Sequence, residues 1–175
     1  MHIIIDGYNL IRQSDTLRRH EKVSLEEGRK ALIQKVSLYK KERGHRITII
    51  FDGWEGGSFE EERDRQEGID IIYSRRGIKA DDVIKRIVQQ GGDDLVVITS
   101  DRDITHFTNR RGYTAITSPE FEARMTSPPD HRKKAGIIDS KDEDPDDIKT
   151  GLKKKGPARR LSKTKRNVLA KIHKL

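Results

Sequence analysis

Six aspartates stand where short apolar runs give out: Asp6 after Ile3-Ile4-Ile5, Asp52 after Ile47 to Phe51, Asp81 and Asp82 beyond Ile69 to Tyr73, and Asp101 and Asp103 after Leu95 to Thr99. Carboxylates forced together repel, so such a cluster persists where a cation neutralises it. An all-oxygen set suits a hard ion, Mg2+ or Mn2+, which keeps water in its shell and bridges to phosphate. The chemistry this predicts is phosphoryl transfer to water, with the ion lowering the pKa of the attacking water and offsetting charge on the phosphate. Singly, each aspartate is explained as well by a turn or a helix cap. Asp52-Gly53 is an ordinary turn pair, and Asp81 and Asp82, about 100° apart on a helix, need not face one site. Their expected convergence makes the set informative.

Other residues could serve such a site. Asn9 lies in Asp6-Gly7-Tyr8-Asn9, where Gly7 allows a tight turn and the amide could hold a phosphate or a carboxylate. Thr99 and Ser100 offer hydroxyls, although a cap for the next helix also accounts for Ser100. Arg75-Arg76 could grip phosphates, and Trp54, the only tryptophan, could stack on an unpaired base or simply anchor its loop. The six histidines are scattered without metal-ligand spacing, and with no cysteine there is no thiolate site, thiol nucleophile or disulfide.

The elements that must position these groups follow from the hydrophobic pattern. Five β-branched runs, Ile3 to Ile5, Ile47 to Phe51, Ile69 to Tyr73, Leu95 to Thr99 and Tyr113 to Ile116, predict strands. The first, second and fourth are nearly continuous in apolar residues, as strands covered on both faces are. Parallel pairing requires crossover helices. Ser24 to Arg43 supplies one, with a Ser24/Glu27 capping box, a stripe of Leu25, Leu32, Val36 and Tyr39, and Gly44 as its stop. Ala80 to Gln90 supplies another, ended by Gly91-Gly92, and a third is expected between Ser100 and Gly112. The charged stretch from Phe59 to Arg65, preceded by a Ser58/Glu61 capping pattern, reads as a short exposed helix or an ordered loop. The result is a three-layer α/β domain with a mostly parallel five-stranded sheet, whose first strand is central beside the fourth. In such sheets ligands bind beyond the carboxyl ends of the strands, where the aspartates stand.

The domain is expected over residues 1–125. Residues 126–150, with Ser127-Pro128-Pro129 and the run from Lys141 to Asp147, have the composition of a flexible acidic linker. The formal net charge is +8, yet residues 151–175 hold ten Lys or Arg and no Asp or Glu, so the basicity belongs to this tail. Leu161, Val168, Leu169, Ile172 and Leu175 would permit a short basic helix within it. No signal peptide or membrane-spanning stretch is apparent, and the expectation is a soluble cytoplasmic protein.

Ile3-Ile4-Ile5-Asp6-Gly7-Tyr8-Asn9 resembles the opening of NYN-domain proteins, particularly their YacP-like branch. Lys79-Ala80-Asp81-Asp82-Val83-Ile84 is similar to that family's Ala-Asp element at a helix start, and Val97-Ile98-Thr99-Ser100-Asp101 to its strand followed by Ser-Asp. The resemblance covers roughly residues 1 to 125 and implies a PIN-like (Rossmannoid) fold and a metal-dependent endoribonuclease. Its matched positions are Asp6, Asn9, Asp81 and Asp101, with Asp103 a looser match to a further acidic position of the wider PIN group. It implies RNA as the partner, and the basic tail is a polyelectrolyte suited to holding it.

Other classes fit less well. A haloacid-dehalogenase-like phosphatase wants an acid two residues after the first aspartate, where this chain has Tyr8. No Gly-x-Gly-x-x-Gly follows the first strand, which argues against dinucleotide binding. The serious rival keeps the fold without the cleavage, as an RNA- or ribosome-binding protein; against it, clustered negative charge is of no use to a module that merely faces a phosphate backbone.

Overall fold

The structure is a computed structural model that describes residues 1–53, 59–92 and 94–126. Trp54, Ser58, the linker past residue 126 and the basic tail lie outside the described residues. Within them β1 (His2–Asp6) is followed by three helices, α1 (Gly7–Gln13), α2 (Asp15–Glu21) and α3 (Leu25–Arg43). Then come β2 (Arg46–Phe51), β3 (Glu62–Gln66), β4 (Ile69–Tyr73), α4 (Ala80–Gln90), β5 (Leu95–Ile98), α5 (Arg102–Arg110), β6 (Thr114–Ile116) and α6 (Ser118–Thr126).

The sheet order is β3-β4-β2-β1-β5-β6, parallel throughout except for the β3–β4 pair. β1 is central with β5 beside it, the order expected from the acidic residues at their ends. Ile3, Ile4, Ile5, Ile49, Ile50, Val96, Val97 and Ile98 are fully buried. Each such side chain contributes roughly 1.5–3 kcal/mol of burial. On one side Val83, Ile84 and Val88 of α4 and Ile104 of α5 pack with Ile4, Ile50 and Val97. α1 contacts β1 and β2, and α1, α3 and α6 pack together.

α3 begins and ends as expected: the Ser24 hydroxyl accepts from the Glu27 amide at 3.0 Å, and Gly44 closes the helix in the left-handed region at φ 70°. Leu32, Val36 and Tyr39 are buried, but Leu25 of the same stripe remains 47% exposed.

Two expectations need correction. The sheet has six strands rather than five, because most of the stretch expected as a short helix or loop is the antiparallel edge strand β3. All five of its residues are exposed, so pairing holds it rather than burial: Arg63 lies opposite Ile72 and Asp64 opposite Ile71. Glu67 (φ 50°) and Gly68 (φ 76°) form the two-residue turn into β4, both in the left-handed region that tight hairpins use. Second, Gly7 opens α1 rather than a turn. Its role is close approach, since a Cβ there would overlap the Phe51 ring. The segment after Ile116, for which the sequence carried no reading, forms α6, whose Phe121 is fully buried and meets the Tyr39 ring at 5.2 Å.

Candidate active site

The parallel register sets the site. Ile5 pairs with Ile98, so Asp6 and Thr99 leave their strands side by side, and the buried Thr99 hydroxyl donates to Asp6 Oδ2 at 3.1 Å. Asp6 Oδ1 caps α1 by accepting from the Asn9 amide at 3.2 Å. Asp6 is only 7% exposed. Burial pushes its carboxyl up to about 6 against those two hydrogen bonds, and the charges of Asp81 and Asp52 push the same way.

The Asp81 carboxyl is also raised, first by burial and then by Asp101, with Asp52 adding to the shift and Lys85 and Lys79 opposing it. Asp6, Asp52, Asp81 and Asp101, from four separate segments, therefore share one field at the carboxyl edge of β1, β2 and β5. Asp52 reaches it at a cost in freedom: Oδ1 accepts from the Ala80 amide at 2.5 Å, fixing the start of α4 and hence Asp81. Asp101, not Ser100, caps α5; its Oδ1 accepts from the amides of Asp103 at 2.7 Å and Ile104 at 3.0 Å, and Oδ2 has no hydrogen-bond partner among the described residues. The cap reading of this aspartate therefore holds, and it occupies one of the two carboxylate oxygens.

Asn9 holds the frame together. Its side-chain oxygen accepts from the Ser100 amide at 2.9 Å and from the Ser118 hydroxyl at 2.8 Å, tying α1 to the end of β5 and the start of α6. The Ser100 hydroxyl in turn accepts from the Ser118 amide at 3.3 Å. Ser118, fully buried, is the member that sequence reasoning missed. The signal lay nearby in Thr117-Ser118-Pro119-Glu120, a capping-box spacing with proline in the first turn.

The remaining expected residues lie elsewhere. Asp82 is exposed and lines a depression with Glu61, Arg75, Ile78 and Arg86. Arg76 is exposed in the turn after β4. Asp103, also exposed, lines a groove between α4 and α5 with Lys85, His106, Phe107 and Arg110.

Among the described residues no three acidic or imidazole side chains lie close enough to ligate one ion together. The donors are nonetheless all carboxylate oxygens, and Mg2+ is commonly bound through one or two carboxylates, with waters and substrate phosphate completing its shell. The four-carboxylate edge fits an ion held that way.

A family model described as the YacP-like NYN domain matches residues 3–174, running well past residue 125, where the motif resemblance stops. The uncharacterized protein YacP of Bacillus subtilis (strain 168) is 29% identical over 87 residues, 50% of this chain. The match spans 51% of that relative's length. Two crystal structures of Rae1 (YacP) from Bacillus subtilis, one of them a mutant, superpose with TM-scores of 0.60 and 0.59 at 24% and 23% identity. Each match covers 71% of this chain and 73% or 74% of the other. The architecture is therefore PIN-like, with a mostly parallel six-stranded sheet. No helix among the described residues is long and apolar enough to cross a membrane.

Proposed function

Because the chain belongs to the YacP-like NYN domain family, a PIN-like nuclease family, we propose that it is a cytoplasmic, metal-dependent endoribonuclease hydrolysing RNA phosphodiester bonds at the Asp6, Asp52, Asp81 and Asp101 edge. The observation that carries this reading is the common field of those four carboxylates, in which burial and mutual repulsion raise both Asp6 and Asp81. A fold keeps such an arrangement at the ligand-binding edge of a parallel sheet when a cation and a phosphate use it.

Asp6, Asp81 and Asp101 are the residues that would hold Mg2+ or Mn2+, no more than two of them directly; the ion supplies charge neutralisation and a water of lowered pKa. The chain's own groups do the rest. Thr99 and the Asn9 amide fix Asp6 in one orientation. The hold of α5 on Asp101 Oδ1 presents Oδ2. The Asn9 side-chain oxygen is occupied, which leaves its NH2 group as the donor for a substrate phosphate. Arg75 and Arg76 would meet phosphates farther along the strand, Trp54 would stack on a base, and Ser100 would act chiefly by holding the α6 start.

The test is incubation of the full chain with structured and unstructured RNAs in Mg2+, in Mn2+ and in excess chelator, with products sized on a gel. Internal cuts that need the ion and vanish in Asp6→Asn are expected. Undiminished cutting in chelator would overturn the mechanism. Tight RNA or ribosome binding without cutting under any ion would leave the fold as a holding module only.

A further inference from the structure

Beside the acidic edge runs the groove between α4 and α5, and its chemistry is different. Lys85 stands on one wall and His106 and Arg110 on the other, with Asp103 at the end toward Asp101 and Phe107 in its lining. The volume is about 360 Å3, at the small end of the ligand-cleft range of roughly 300–1,000 Å3. Two links fix the groove to the acidic edge. Lys85 lies one helical turn after Asp81 and its charge lowers that carboxyl's pKa. The Asp103 amide donates to Asp101 Oδ1 at 2.7 Å. Among the described residues none of Lys85, Asp103, His106 or Arg110 is engaged in an ion pair, although long charged side chains elsewhere on this surface are commonly paired.

Two unpaired cations and an imidazole match a phosphate. A carboxylate among them opposes a phosphate but accepts a hydrogen bond from a hydroxyl, and the ribose 2′-hydroxyl is the group that separates RNA from DNA. Resting on the nuclease reading above, we propose that this groove holds the nucleotide next to the scissile bond, with Lys85 and Arg110 on its phosphate and Asp103 accepting from its ribose 2′-hydroxyl. Asp103 is then a specificity residue and no ligand of the ion.

The experiment measures binding of fluorescent single-stranded RNA and DNA of one sequence to the full chain in chelator, across a salt titration, with circular dichroism as the check of folding. The Lys85→Ala/Arg110→Ala variant should weaken both nucleic acids and flatten the slope of log affinity against log salt by about 0.7, the value for one lost phosphate contact. Asp103→Ala should lower the ratio of RNA to DNA affinity about 2- to 10-fold, the range of a single hydrogen bond of roughly 0.5–1.5 kcal/mol. Asp103→Asn keeps an acceptor oxygen and should retain most of that ratio. An unchanged slope in the double variant removes the groove from the RNA path. If Asp103→Ala tightens RNA and DNA equally, its carboxylate is only a repelling charge and the ribose assignment fails. Every readout is binding, so a chain that cuts no RNA would sink the hydrolase reading while leaving these results to judge the groove.

Discussion

Asp6 combines demands that usually fall on separate residues: it ends the central strand, caps α1 and carries a buried charge. The Asp6→Asn, Asp81→Asn and Asp101→Asn variants should each lower metal-dependent RNA cleavage by at least about 100-fold, judged from losses at comparable catalytic groups. Single-turnover assays at saturating RNA check this; near-normal rates in Asp6→Asn would remove it from the mechanism. Asp6 also predicts a pH signature in stability. Its folded pKa, about 6, lies above the ordinary 3.8, so its contribution is fully present below the unfolded value and is lost as pH rises through the folded one. At about 1.4 kcal/mol per unit, ionised Asp6 costs the fold up to about 3 kcal/mol. Urea denaturation in chelator should therefore show Asp6→Asn gaining on the wild type as pH rises from 3.8 to about 6 and keeping that gain above it; a constant difference across that window would mean that the carboxylate is not penalised. The sequence made Asp6, Asp81 and Asp101 legible because each follows or opens an element with a clear apolar signal. It could not reveal that Asn9 spends its oxygen on Ser100 and Ser118, since those partners are set by tertiary register across residues 9 to 118.

The elements that the sequence announced are those whose own burial makes them. β1, β2, β4, β5 and β6 read as apolar runs, and α3 and α4 as periodic segments with stops. β3 did not, because Glu-Arg-Asp-Arg-Gln has no apolar face and becomes a strand only by pairing with β4. α1 and α2 were hidden for another reason. Asp6 and Ser14 are their caps, and Ser14 accepts from the Leu17 amide at 3.2 Å, but a glycine at the head of a short segment imitates a turn. Gly7 shows what that position requires. A methyl group there would meet the Phe51 ring and come within 3.0 Å of the Ile50 carbonyl. Gly7→Ala should therefore destabilise the chain by roughly 1–3 kcal/mol, the range of overpacked cores. It should also shift α1 and with it Asn9. Thermal melts combined with RNA cleavage check this: a variant as stable and active as the wild type would show that Phe51 yields freely.

Across the whole chain the net positive charge lies in residues 151–175, which hold ten Lys or Arg and no Asp or Glu, while residues 1–150 hold 27 Lys or Arg against 29 Asp or Glu. Deleting those residues should weaken RNA binding while leaving turnover of saturating substrate largely intact. If about five phosphates are engaged, the salt slope should fall by roughly 3 to 4; equal slopes for full-length and truncated protein would show that the tail does not hold RNA. Sheet order was legible in outline, because acids expected to share an ion would have to end neighbouring strands. The sheet's limits were not, since edges are set by what the chain does with polar residues. β3 has a consequence there that concerns neither RNA nor catalysis. An uncovered sheet edge is a template on which another chain can grow a strand. Here the last strand exposes Glu62, Arg63, Asp64, Arg65 and Gln66 to water, so a second molecule that docked would have to strip charges from solvent and gain no apolar contact. The charges of β3 should therefore oppose strand pairing between copies at this edge. Replacing Arg63 and Arg65 with valine should leave the hairpin formed yet drive concentration-dependent oligomers in analytical ultracentrifugation; a variant that sediments as the wild type does would show that the charges on this strand are not what keeps copies apart.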